Sequence, residues 1–379
     1  MNNTIYLDYN ATTPVDARVL DAMMPYFSTK FGNASSKTHA YGWAAEEAVE
    51  VAREKVASLL GCEKSEVYFT SGATEGINLL IKGIYESYSH KGRHIISYHT
   101  EHKAVLDTLS YLALQGADIT LLPVGRDGLP DLNLLKGSIK DNTIMIVAMM
   151  ANNETGVLFP VQEIGEIARA HKVFFFSDTT QAAGKVMFNV KQNLIDCCVI
   201  SAHKLYGPKG IGAVYVSRKN PRITVAAQQH GGGHEKGLRS GTLNVPGIVG
   251  LGEACSLAEK EMWDDNSRIS QWRTTLEQSI TKNDNIFING SIKNRLANTT
   301  NLLFKGLRSE DLIKTIRPIA VAAGSACTAA LPQPSHVLKA MGLNDADAYS
   351  SVRFSLGRFT TEAEISVTIE KFNHILQRK

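Results

Sequence analysis

Lys204 lies in the run Cys198-Val199-Ile200-Ser201-Ala202-His203-Lys204-Leu205-Tyr206-Gly207, where apolar residues give way to small polar ones, a histidine and a lysine, and then to a glycine-rich turn. A lysine held at the end of a buried strand has its charged form disfavoured and becomes a nucleophile toward carbonyl carbon. Upstream, Val173-Phe174-Phe175-Phe176-Ser177 ends in Asp178, with Gln181 three residues further on. Taken alone, Asp178 reads as a helix N-cap. Its pairing with a lysine at a second strand end changes that reading, because an amine and a carboxylate can grip opposite ends of one flat heterocycle. Pyridoxal 5'-phosphate is such a group, with the lysine on its aldehyde and the aspartate on its ring nitrogen.

The remaining chemistry-bearing residues also follow apolar runs. Ser71-Gly72-Ala73-Thr74-Glu75-Gly76 opens a helical pattern, so backbone N–H groups there and the Thr74 hydroxyl can hold a phosphate, joined by Ser201 and His203. Alone, this stretch is equally an ordinary capped helix start. Neither of the glycine patterns that bind dinucleotides or nucleoside triphosphates occurs. His102, after Thr100-Glu101, can stack on a ring or move a proton, and Asn153 in Asn152-Asn153-Glu154 offers an amide. Arg353 can clamp a carboxylate, although a surface ion pair is the plainer reading. Cys327 sits among small residues in Gly324-Ser325-Ala326-Cys327-Thr328-Ala329-Ala330 and reads as an accessible nucleophile on a mobile loop, whereas Cys62, Cys197 and Cys198 read as packing residues and Cys255 has no assignment. The five cysteines lack Cys-x-x-Cys spacing, and His99 with His102 has no further ligand pattern nearby, so neither a disulfide framework nor a metal site is expected.

These residues need strands to position them. Apolar runs at 66–70, 94–98, 118–124, 143–150, 173–177, 197–201 and 212–217 alternate with helical spacing at 44–60, 73–88 and 161–171. That is the pattern of an α/β protein with a mostly parallel central sheet. From about residue 253 the texture changes to a long polar helix, strands near 299–304 and 352–356 and a helix near 309–315, predicting a smaller α+β C-terminal domain. The expected division is an N-terminal arm at 1–15, a cofactor-binding large domain at 16–252 and a small domain at 253–379 carrying Cys327. Length supports it, since 379 residues exceed a usual single core. A net charge of +3 gives no reason to expect nucleic-acid or membrane binding. Met1-Asn2-Asn3-Thr4 does not open a signal peptide and no apolar run reaches a membrane span, so a cytoplasmic location is expected.

Taken together, the blocks Tyr6 to Pro14, Phe31 to Ser36, Ser71 to Glu75, Glu101-His102-Lys103, Asn152-Asn153-Glu154, Ser201 to Gly212, His230 to Glu235, Arg239 to Thr242 and Gly324 to Thr328 resemble the NifS/IscS group of pyridoxal-phosphate cysteine desulfurases, within the fold-type I, class V aminotransferase superfamily. The resemblance implies that Lys204 forms the Schiff base, Asp178 holds the pyridinium proton, Gln181 contacts the ring hydroxyl and His102 stacks on the ring. Ala73, Thr74, Ser201 and His203 would bind the phosphate, with Thr242 reaching across from the second subunit of a homodimer. Asn153 and Arg353 would hold L-cysteine, and Cys327 would take its sulfur for an acceptor protein serving iron–sulfur cluster assembly, tRNA thiolation or DNA phosphorothioation. The Cys327 loop resembles the longer NifS/IscS type and not the short type of the SufS group. The sequence ends at Lys379 without the extension that IscS-like proteins use to bind their scaffold, which leaves delivery to that scaffold open.

Overall fold

The computed structural model describes residues 4–323 and 333–376. Among these, seven strands form the main sheet in the order Val67–Thr70, Gly212–Val216, Cys197–Ser201, Phe174–Asp178, Thr143–Val147, His94–Tyr98, Asp118–Leu122. The last five run parallel, and the Gly212–Val216 strand is antiparallel to both neighbours. The Val67–Thr70 strand therefore points the same way as the parallel set. Cys197–Ser201 and His94–Tyr98 are buried at every residue, which is why they read in sequence as unbroken apolar runs.

Helices cover both faces. Phe175 packs on one side with Val49, Leu60, Ile164 and Ile248, and its neighbour Phe176 packs on the other with Ile77, Leu80 and Leu109, as the pleat requires. Each phenyl ring is fully buried and stabilises its layer by roughly 2–3 kcal/mol. The Ala40–Leu60 helix stops at Gly61, whose φ of 70° is a left-handed cap that a side chain would strain. A second, four-stranded sheet orders Ala322–Ala323, Ser351–Ser355, Thr299–Phe304 and Ile286–Ile288 antiparallel, and it packs with the Glu362–Leu376 helix around Phe304, Phe354 and Phe372. The N-terminal Ile5–Tyr6 pairs in parallel with Ile319–Ala320.

The largest difference from expectation lies in the long helix. The long helix predicted from about residue 253 begins at Val245 and runs unbroken to Ile280, so the expected 252/253 boundary falls inside it. Its residues up to Ala258 join the core of the large sheet, and Ile269, Leu276 and Ile280 join that of the second sheet. Gly247, Gly250 and Gly252 disguise the start as a loop in sequence. Gly252 serves close packing: a Cβ there would lie 2.6 Å from the Cα of Ala52 on the neighbouring helix.

Candidate active site

The strand directions bring one set of chain ends to one edge of the large sheet. Ser71 to Thr74 follow the Val67–Thr70 strand, Thr100 to His102 follow His94–Tyr98, and Met149 to Asn153 follow Thr143–Val147. Asp178 ends its strand, and His203 and Lys204 follow Ser201. Ligands in open α/β sheets bind at this carboxyl edge. A cavity of about 630 Å3 opens there, lined by Lys204, Asp178, Gln181, His102, Asn153 and Arg353, with Ala73, Thr74, Ser201 and His203 at the helix end. Ten of the expected site residues thus share one pocket.

The anion end is built by a close approach. Gly212 pairs with both Thr70 and Ser201, and a Cβ on it would lie 2.8 Å from the Cα of Gly72. The bare backbone at Gly212 lets the turn before the Ala73–Tyr88 helix lie on the sheet, with the first N–H groups of that 16-residue helix facing the cavity. Glu75 braces the turn by accepting from Ser71 N at 2.8 Å and pairing with Arg239 at 2.8 Å.

Lys204 Nζ donates to the carbonyls of Asn10 and Ala11, both at 2.7 Å. Burial, with the charge of Arg353, pushes its pKa down to about 8, against the pull of Asp8 and Asp178. About a tenth of such lysine is neutral at neutral pH. Asp178 Oδ1 accepts from Thr180 N at 2.9 Å in a tight turn, and no helix directly follows, so the helix N-cap of the plain reading is not what the structure shows. His102 caps the Lys103–Leu114 helix by accepting at Nδ1 from Ala104 N at 3.1 Å, which puts the proton of the neutral ring on Nε2. Burial lowers its pKa, Asp178 opposes, and Lys204 and His336 add to the lowering. His203 is pushed down to about 4 by burial and the charges of Lys204, Lys209 and Lys185, so it is neutral and offers hydrogen bonds without charge.

Arg353 is more committed than expected. Its Nη1 donates to Asn153 O at 2.9 Å and its Nη2 to Asp8 at 2.6 Å, leaving Nε buried without a partner. Thr180 Oγ1, on another lining residue, is also buried and unpaired. Such orphans ask for a polar occupant. Amine, carboxylate, helix N-terminus and ring-sized cavity fit pyridoxal phosphate.

Two expected residues stand apart. Thr242 is exposed and does not line the cavity of its own chain, and Cys327 lies outside the described residues. The chain on either side of Cys327 is anchored at the cavity wall. Ala322 pairs with Arg353, Ser335 Oγ donates to buried Glu154 at 2.5 Å, and His336 Nε2 donates to Glu101 O at 2.9 Å.

Sequence reasoning assigned no role to Asn10, Lys185 or Glu101. Asn10 lies in a block noted only for resemblance, and its backbone is fixed by Ser355 Oγ and its side chain by Thr299. Lys185 donates to Gln181 Oε1 at 2.7 Å from an irregular turn that no periodicity marks. Glu101 is fully buried; burial raises its carboxyl well above the usual range, Met149 N–H at 2.7 Å opposes this, and Asp178 adds to the rise. The signal was its place beside His102, where an acid followed by a histidine at a strand end had been read for the histidine alone.

A lysine, a carboxylate and a helix N-terminus meeting at the carboxyl edge of such a sheet have the arrangement of an α/β enzyme site. The chain belongs to the class-V aminotransferase family, whose sequence profile matches residues 5–367. It is 49% identical over 379 residues to the cysteine desulfurase IscS of Anaeromyxobacter sp. strain K, covering 100% of this chain and 94% of that one. Among solved structures it is similar to a NifS-like protein at 35% identity and a TM-score of 0.92, covering both chains fully. It is also similar to SspA in complex with cysteine, at 36% identity and a TM-score of 0.83, over 94% of this chain and 100% of that one.

Proposed function

We propose that this protein is a pyridoxal-phosphate-dependent cysteine desulfurase, converting L-cysteine and the Cys327 thiol into L-alanine and a Cys327 persulfide. The change balances without an added oxidant, since one sulfur atom leaves cysteine and one hydrogen takes its place. Relatives about half identical over their whole length are named cysteine desulfurases, which supports the activity. The observation that carries the reading is the gathering of Lys204, Asp178 and the helix N-terminus in one cavity.

In this reading Asp178 holds the ring nitrogen, Lys204 the aldehyde carbon and Gln181 the ring oxygen. His102 lies on the ring face. The N–H groups at Ala73 and Thr74, with Ser201 and His203, hold the phosphate, completed by Thr242 from a second copy in a cytoplasmic homodimer. The bound cofactor supplies an electron-withdrawing ring that makes the substrate Cα–H acidic. Lys204, with its lowered pKa, takes and returns protons at Cα, and His102, neutral with its proton on Nε2, donates on the ring side. Arg353 offers its unpaired Nε, and Asn153 its amide, to the substrate carboxylate.

The choice of Cys327 gains support from the other thiols. Cys197, Cys198 and Cys255 are buried and Cys62 is half-buried, and burial raises all four, Cys198 to about 12. None is a thiolate at neutral pH. The persulfide then passes to an acceptor protein. No helix among the described residues is long and apolar enough to cross a membrane. The test is alanine and sulfide release from L-cysteine by the reconstituted protein: Cys327→Ala should abolish both while the visible cofactor band persists, and undiminished turnover would defeat the reading.

A further inference from the structure

Gln181 is held from two sides. Lys185 Nζ donates to its Oε1 at 2.7 Å, and its Nε2 donates to the carbonyl of Asn10 at 2.9 Å. The Asn10 carbonyl only accepts, so Nε2 must face it, and Oε1 is then the atom that receives Lys185 Nζ, a contact that reinforces the same orientation of the amide. Gln181 lines the cavity, and this orientation leaves its second N–H as the donor it can offer an occupant. Lys185 reaches this position because Gly184, at φ 73°, turns the chain back, with Ala258 Cβ and Leu205 Cβ each 3.2 Å from where its own Cβ would be. Asn266 Nδ2 fixes the Lys185 carbonyl at 2.7 Å from the long helix. Among the described residues, Gln181 is the hydrogen-bond partner of the Lys185 amine, which meets no carboxylate within ion-pairing distance.

We infer that Lys185 is a positioning residue: it locks the Gln181 amide so that an N–H, and not the carbonyl, meets the ring oxygen of the cofactor. This rests on the reading of Gln181 as the ring-oxygen contact. A fixed donor stabilises the phenolate form of that oxygen, most of all when the neighbouring cofactor nitrogen has lost its proton. With the lysine removed, only the bond to the Asn10 carbonyl orients the amide, so the donor is less firmly placed and the nitrogen holds its proton to higher pH. Burial, with the charges of Lys204 and Arg353, brings the Lys185 pKa down to about 7, so the fold disfavours its charge.

The experiment uses the full-length protein reconstituted with pyridoxal phosphate, reading the pH midpoint at which the visible cofactor band changes. Lys185→Met is expected to raise the midpoint by about half to one pH unit, the worth of one hydrogen bond. Lys185→Arg, which keeps a donor, should restore it. Gln181→Ala should raise it similarly, and adding Lys185→Met to Gln181→Ala should change nothing further, an outcome that a merely structural role would not give. An unchanged midpoint in Lys185→Met while Gln181→Ala moves it overturns the inference alone, as does an equal further rise in the double variant. An unchanged midpoint in Gln181→Ala sinks both the inference and the ring-oxygen contact on which it rests.

Discussion

Removing the Lys204 amine should make the cofactor-free protein more stable. Its pKa falls from 10.5 to about 8, chiefly through burial. Between those values the unfolded chain binds the proton and the folded one does not, so stability rises with pH across that window, and below about pH 8 the folded state carries the full cost of a desolvated ammonium. At about 1.4 kcal/mol per pH unit the difference is about 3 kcal/mol, and allowing for solvent screening of a half-buried group leaves about 2 kcal/mol. The two carbonyls at 2.7 Å limit the cost of substitution, because Asn10 O keeps its bond from Gln181 when the amine is gone. Urea unfolding of cofactor-free wild type and Lys204→Met at a series of pH values reads the difference directly. The variant should be about 2 kcal/mol more stable at pH 7, with the gap closing toward pH 10.5. A variant no more stable at pH 7, or a gap that does not close, would refute the claim that the fold holds this amine under strain.

Asp178→Asn keeps the turn bond to Thr180 but removes the charge facing the ring; turnover of L-cysteine should fall by about 100-fold or more while the fold, read by circular dichroism, is unchanged. Glu101→Gln keeps an acceptor for Met149 N–H and removes a charge that burial disfavours, so its stability should stay within about 1 kcal/mol of wild type, whereas Glu101→Ala should lose about 2–3 kcal/mol by urea unfolding through an unsatisfied buried N–H and a cavity. Arg53→Ala leaves the buried Glu235 carboxylate without its two guanidinium bonds and should cost about 3–5 kcal/mol in the same assay.

The elements that hold the site were legible where burial is complete on both faces or one clean amphipathic stripe exists. Ala73–Tyr88, His94–Tyr98 and Cys197–Ser201 match the sequence reading to the residue. The reading overshot at 143–150, because Ala148 to Ala151 are as apolar as the strand before them, yet Met149 and Ala151 line the cavity and Met149 N–H turns to Glu101. It undershot at the Val245–Ile280 helix, where glycines weaken a helix by propensity but Gly252 lets Ala52 approach and Gly250 makes room for Met23 and Pro208. Within the site, Lys204 and Asp178 stood out because their types are improbable beside buried strands. Lys185 and Asn10 did not, since one acts from an irregular turn and the other through its backbone oxygen, which any residue supplies.

The amino-terminal arm makes the seat of the Lys204 amine depend on distant parts of the chain. The carbonyls that receive the Lys204 amine belong to residues 10 and 11, yet Tyr9 N and Asn10 N bond to Ser355 and Ile5–Tyr6 pair with Ile319–Ala320. The arm also bonds to His203 and Tyr206, so its seat joins segments that lie far apart in the chain, and the bonds to residues 319–320 and 355 come from its most distant part. A chain cut short before those residues has the lysine and the carbonyls that receive it, but lacks the partners that fix the backbone at residues 9 and 10.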